Sequence, residues 1–289
     1  MPYAIGHMPY AMSHMPYAIS HTPYAMRHMP DERAILETFG RFVSPHVVER
    51  LLADPAGVHL GGAQQTITVL FADLRGYTAL AERLRPEQLL EILNGHLTVA
   101  AQAVLAHEGT ISQYSGDQIM ALFNAPLAQP DHALRATRAA IRIRQATASY
   151  HACVPADLQM QFGIGIATGE VVVGNIGASE MLNYTAIGDT VNLAERLQEL
   201  ARGGEILLAE TARQALVGED EPRGVPTGNH ATLRIPEGHN LSDRGAMWIR
   251  GRREPVQVYA LEELGFDEGG SPSLRSRAGM APALQRAER

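Results

Sequence analysis

Apolar and polar positions change their period several times along this chain, and each change marks an element. Residues 65–73 form a nearly unbroken apolar run rich in Thr, Ile, Val and Phe, as expected of a buried strand. Over 86–107 the positions Leu89, Leu93, Leu97, Ala100 and Val104 recur at helical spacing, which predicts one long helix. Residues 110–114 and 119–123 read as strands joined by Ser115-Gly116-Asp117, a hairpin signal. Residues 131–150 read as a second long helix. A second hairpin is expected from 158–167 and 170–176, turning at Thr168-Gly169. A helix over 189–200, a short strand over 205–208, a short helix over 211–216 and a closing strand over 256–261 complete the pattern. This alternation predicts an α+β sheet covered by helices on one face.

The two ends and one internal stretch lack such periodicity. Residues 1–30 repeat a heptad, MPYAIGH, MPYAMSH, MPYAISH, TPYAMRH, and then Met-Pro. A proline in every unit forbids the coiled coil that a seven-residue period would otherwise imply. The segment is expected to be an extended, disordered tail. Its His7, His14, His21 and His28 recur in register as weak chelators at most, and Met26 and Met29 stand as alternative starts. Residues 31–60 are expected to form a helical linker, two amphipathic helices broken at Ser44-Pro45. A catalytic domain is expected over 61–264, with a Gly/Pro/Asp-rich loop insertion at 218–244 and a disordered tail at 265–289.

Composition narrows the function classes. The chain has 289 residues with a net charge of -7, which argues against nucleic-acid or anionic-membrane partners, so any anion must be held by local groups. One cysteine, Cys153, excludes a disulfide framework and a Cys-based metal site, and a reducing cytoplasm fits. No run approaches the roughly 18 apolar residues of a membrane span, so no membrane is expected and the chain should be soluble.

Three segments carry the candidate chemistry. Thr68-Val-Leu-Phe-Ala-Asp73-Leu74-Arg75-Gly76-Tyr77-Thr78 brings a carboxylate to the end of an apolar strand and breaks into a glycine turn that opens a helix. An acid at such a place is costly unless a metal or hydrogen bonds compensate it. Asp117 follows in Tyr114-Ser-Gly-Asp117. Gly188-Asp-Thr-Val-Asn192-Leu-Ala-Glu-Arg196 sets an Asn and an Arg one helical turn apart on one face. Two acids for hard divalent metal, backbone N–H groups for phosphate and an Arg/Asn pair for developing charge make a nucleotide site. The glycines of Gly163-Ile-Gly165-Ile-Ala-Thr-Gly169 do not form a dinucleotide fingerprint: the third is displaced by one residue, and a strand follows instead of a helix.

Together the three segments resemble the class III nucleotidyl cyclases, the adenylate and guanylate cyclase family. The resemblance implies a ferredoxin-like core with an antiparallel-rich sheet, acting as a homodimer with sites at the interface. It implies that Asp73, Asp117 and the carbonyl of Leu74 bind two Mg2+ or Mn2+ ions. It assigns the turn Gly76, Tyr77 and Thr78 to the β- and γ-phosphates, and Asn192 and Arg196 to the transition state. A segment like Phe39–Pro45 precedes the catalytic domain in that family and often links it to an upstream sensor. The family's phosphate-binding Lys is replaced by Arg250 or Arg252 in Trp248-Ile-Arg250-Gly-Arg252. The base-reading positions depart from the family, with Gln113 where adenylate cyclases place Lys and Thr185 where many place Asp. A Thr there resembles a bacterial adenylate cyclase branch that includes bicarbonate-responsive members. Gln can pair with adenine or, flipped, with guanine, and Thr can donate or accept, so these two residues leave the base open. The motif style implies ATP, cyclised to cyclic AMP and pyrophosphate. The alternatives are a guanylate or relaxed-specificity cyclase, or a non-catalytic nucleotide-binding module.

Overall fold

Residues 67–72 are all buried, because the strand that carries them is covered on both faces. A computed structural model of the chain describes residues 47–48, 61–178, 181–217, 234–266 and 272–274. The elements run β1 (Gly61–Arg75), α1 (Tyr77–Ala81), α2 (Pro86–Ala106), β2 (Thr110–Ser115), β3 (Gln118–Phe123), α3 (His132–Tyr150), β4 (Gln161–Ala178), β5 (Met181–Ile187), α4 (Asp189–Leu200), β6 (Ile206–Ala209), α5 (Glu210–Ala215), β7 (His239–Met247), β8 (Val256–Phe266) and β9 (Pro272–Leu274). The sheet order is β2-β3-β1-β4-β6-β8-β7, with β5 on β4 and β9 on β8. Only the β4–β6 pairing is parallel among the described strands.

The expected α+β class holds, but helices lie on both faces. Alternate residues of β1 point to opposite sides. Leu70, Ala72 and Leu74 pack with Ala100, Val104, Ala136 and Ala140 of α2 and α3. Val69 and Phe71 pack with Leu193, Ala194 and Leu197 of α4. The 189–200 periodicity alone does not say which face of the sheet a helix covers, so this was decided only by packing.

Two other expectations are corrected. The turn at Thr168-Gly169 does not exist; β4 runs straight through it for 18 residues and pairs with the whole of β1. Thr168 sits opposite Thr68, and their buried hydroxyls are 2.7 Å apart, a partner a turn would have withdrawn. Gly169 serves close approach instead, since a Cβ there would lie 2.5 Å from Thr190 Oγ1 at the start of α4. The hairpin falls later, between β4 and β5. Secondly, the expected loop at 218–244 gives way to strand at His239, where β7 begins its pairing with β8. Its polar, Gly-containing sequence suits an edge strand with a bulge at Asp243/Gly245. Residues 218–233 lie outside the described residues, as do 1–46 and 49–60, so the heptad tail and nearly all of the linker are not described. Within the expected disordered tail, Gly265 and Phe266 end β8 and residues 272–274 form β9.

Among the described residues α2 is long and apolar enough to cross a membrane by length and composition, contrary to the reading that no run approaches this. It buries His96, Ala100, Ala103 and Val104 against α3 and the sheet.

Candidate active site

Asp73 lies inside β1, two residues before its end, directly opposite Gly163 on β4 and Gln118 on β3. The β2–β3 hairpin closes over Gly116-Asp117, with Ser115 paired to Gln118. Gly116 takes φ +61°, a left-handed value that favours glycine and permits a two-residue loop. The tip of this loop brings the carboxyl of Asp117 beside that of Asp73. Burial and the neighbouring Asp73 charge push Asp117 up to about 6 from its ordinary 3.8. Next along the chain, the Leu74 side chain is buried in the core, leaving its backbone at the edge of the acid pair. Gly76 follows at φ +94° and starts α1, which no side chain caps.

A pair of adjoining carboxylates, one holding its proton far above the usual range, fits a divalent cation. Its oxygen donors are those that Mg2+ or Mn2+ prefers. Among the described residues no group of three or more His, Cys, Asp or Glu surrounds one point, so backbone carbonyls, phosphate oxygens and water must complete any coordination.

The same geometry gives a pH-dependent prediction. The folded pKa of Asp117 is raised, so its ionisation costs the metal-free fold stability as pH rises from about 4 through about 6. Asp117→Asn removes that cost, worth about 1 kcal/mol after screening of this half-buried group is allowed for. Thermal melts in chelator should show the variant more stable than wild type at pH 7.5 and the gain mostly lost at pH 4. An equal difference at both values would mean the carboxyl is not so perturbed.

Asn192 and Arg196 lie on α4 away from its buried face of Leu193, Ala194, Leu197 and Gln198. Arg196 pairs with Glu199 on the same exposed face, and Asn192 is exposed. They therefore turn away from the acid pair of their own chain. Arg252 pairs with Asp189 in the first turn of α4, whereas Arg250 is exposed beside the buried anchor Ile249. Gln113 and Thr185 lie on different strands, β2 and β5. Ser112 of β2 spans to β5, donating to the Tyr184 carbonyl at 3.1 Å with its hydroxyl 2.8 Å from that of Thr185. Gln113 itself is exposed.

Sequence reasoning missed four residues that hold this site. Arg75 ion-pairs with Asp73 and donates to the Gln198 and Ala201 carbonyls that close α4, the latter at 2.9 Å. Gln198 donates to Asp73 at 3.1 Å and accepts from Gln118 at 3.1 Å. Ser112 is the fourth. Gln198 left one legible signal, a polar residue on the apolar face of its helix.

A family model described as the adenylate and guanylate cyclase catalytic domain matches residues 62–263. Adenylate cyclase 1 of Rhizobium meliloti is 34% identical over 186 residues, 62% of this chain and 28% of that protein. The crystal structure of the adenylyl cyclase CyaB from P. aeruginosa is similar at a TM-score of 0.60 and 29% identity, over 71% of this chain and 97% of that one. A guanylyl cyclase crystal structure is similar at 0.55 and 31% identity, over 74% and 100%. This chain spans from 28% to 39% of the length of the curated relatives it matches.

Proposed function

Because this chain belongs to the adenylate and guanylate cyclase catalytic domain family, the class III nucleotidyl cyclases, we propose that it converts ATP to cyclic AMP and pyrophosphate. The observation that carries the reading is the Asp73–Asp117 pair, an acid of β1 and an acid of the β2–β3 hairpin loop meeting at a raised proton affinity.

In this reading Asp73, Asp117 and the Leu74 carbonyl hold two Mg2+ or Mn2+ ions. When bound, these neutralise the triphosphate and acidify the ribose 3′-hydroxyl that attacks the α-phosphorus. The turn Gly76, Tyr77 and Thr78 offers backbone donors to the β- and γ-phosphates, with Arg250 as the exposed guanidinium. Arg252 supports it by tying the same loop to α4. Asn192 orients the ribose. Arg196 leaves Glu199 and takes up charge that builds on the α-phosphate. Gln113 reads the adenine edge, and Thr185, oriented by Ser112, sits beside it.

The acids and the Asn/Arg pair occupy different faces of one chain, which supports a homodimer whose two sites each draw acids from one protomer and Asn192 and Arg196 from the other. A guanylate or relaxed-specificity cyclase is the second reading. It is favoured by Gln113, which accepts either base when its amide turns, and by the likeness to a guanylyl cyclase.

Turnover of ATP and GTP by the purified chain, separately and in competition, with Mn2+ and with Mg2+, tests this. Cyclic AMP is the expected dominant product; dominant cyclic GMP moves the chain to the second reading. Absence of product with either metal, despite nucleotide binding, leaves a non-catalytic module. Repeating the assay with bicarbonate at fixed pH tests a bicarbonate effector, which a flat response removes.

A further inference from the structure

The glycines that fail as a dinucleotide fingerprint have another use. Gly163 and Gly165 alternate with Ile164 and Ile166 on β4, so both face α4. A Cβ on Gly165 would lie 2.2 Å from the Ala194 carbonyl oxygen and 2.3 Å from the Gln198 nitrogen. A Cβ on Gly163 would lie 2.7 Å from both the Ala201 carbonyl oxygen and the Arg75 guanidinium. The two bare positions let the second half of α4 lie directly on the sheet, opposite Asp73.

That close seat is what brings Gln198 to Asp73. Gln198 is 1% exposed, on the apolar face of α4, and such a polar group is costly there unless fully paired. Its amide is paired at both ends: Nε2 donates to Asp73 Oδ2 and Oε1 accepts from Gln118 Nε2. The carboxylate accepts only, so the direction of this chain is forced and the Gln198 amide cannot turn without setting oxygen against oxygen. Its backbone carbonyl also accepts from Arg75, whose guanidinium ion-pairs with the same Asp73 oxygen, Oδ2.

We propose that Gln198 is a positioning residue for Asp73, aiming the carboxylate at the divalent metal and tying it to the helix that presents Asn192 and Arg196 on its opposite face. This rests on the metal-binding reading of Asp73 given above. Partners that orient a ligating carboxylate typically change metal affinity 10- to 100-fold when removed.

The test is Mn2+ binding to the full chain without nucleotide, read from the free-ion electron paramagnetic resonance signal. Asp73→Asn is the reference. Gln198→Met keeps the side-chain volume and removes both hydrogen bonds. It is expected to weaken Mn2+ binding about tenfold and to shift the Mn2+ activation curve equally, with kcat at saturating Mn2+ within about twofold of wild type. A purely structural Gln198 would lower the melting temperature and leave Mn2+ affinity where it was, and that result overturns the proposal. If Gln198→Met does not fold, Gln118→Met decides. Loss of its donor removes one of the two hydrogen bonds that hold the Gln198 amide, and about threefold weaker Mn2+ binding is expected. Wild-type binding by Gln118→Met would then overturn the proposal. Should Asp73→Asn bind Mn2+ like wild type, the metal reading itself fails, an outcome distinct from failure of Gln198 alone.

Discussion

Chains carrying Asp73→Ala and chains carrying Arg196→Ala are each expected to lose cyclase turnover about a hundredfold or more, and an equimolar mixture of the two should regain about a quarter of wild-type activity. The losses follow from the chemistry. Without Asp73 the acid pair falls to a single carboxylate, and without Arg196 no fixed cation from α4 meets charge on the transferring phosphorus. The recovery follows from geometry. Asp73 is on β1, tied to the inner face of α4 by Gln198, while Arg196 is on the outer face beside Glu199. If a site takes its acids from one protomer and its Arg from the other, each mixed dimer has one intact site and one doubly damaged site. Random exchange makes about half of the dimers mixed, hence about a quarter of the sites intact. A mixture that stays inactive after subunit exchange is demonstrated, for instance by unfolding and refolding the two chains together, would exclude the shared site.

Gly165→Ala should be among the most damaging single methyl additions at the described glycines. The added carbon meets backbone atoms of Ala194 and Gln198, which cannot swing aside as a side-chain end would. Helix α4 would have to lift from β4, disturbing Leu193 and Leu197 in the core and the hydrogen bond from Gln198 to Asp73. Overpacking of this kind costs about 1–3 kcal/mol, and the backbone contact places this case at the upper end. Urea unfolding is the measurement, with Gly116→Ala as comparison. Gly116 has φ +61° and open space around it, so alanine there meets only backbone strain of about 1 kcal/mol. If Gly165→Ala unfolds at the wild-type urea midpoint, α4 is not seated as described. A loss of Mn2+ affinity in step with the loss of stability would connect this glycine to the acid pair.

Most strands and helices could be read from local pattern because their cause is local. The apolar run over 65–73, the three- and four-residue spacing over 86–107 and the Ser-Gly-Asp turn each carry their own signal. The misplaced hairpin shows the limit of such signals. Thr168-Gly169 has turn composition, yet Thr168 finds a hydroxyl partner on Thr68, 100 residues away, and extended pairing prevails. β7 went unread for the opposite reason: an edge strand shows one polar side to solvent and is held by backbone bonds to β8, which leave no mark on side-chain pattern.

By itself the sequence determined the family, the α+β class and the residue types that a metal and a triphosphate require, since those depend on chemistry at short spacings. Which groups meet was decided only by tertiary structure. Asp73 and Asp117 are 44 positions apart and become one electrostatic unit through the β1–β3 pairing. Arg75, Gln198 and Gln118 acquire a role at the site only because two bare glycines let α4 press against β4. Asn192 and Arg196, adjacent by helical spacing, face away from the acids beneath them because the apolar half of α4 must be buried. The physical reason is the same throughout: periodicity records which side of an element avoids water, and the partner on that side is chosen by packing across the sheet.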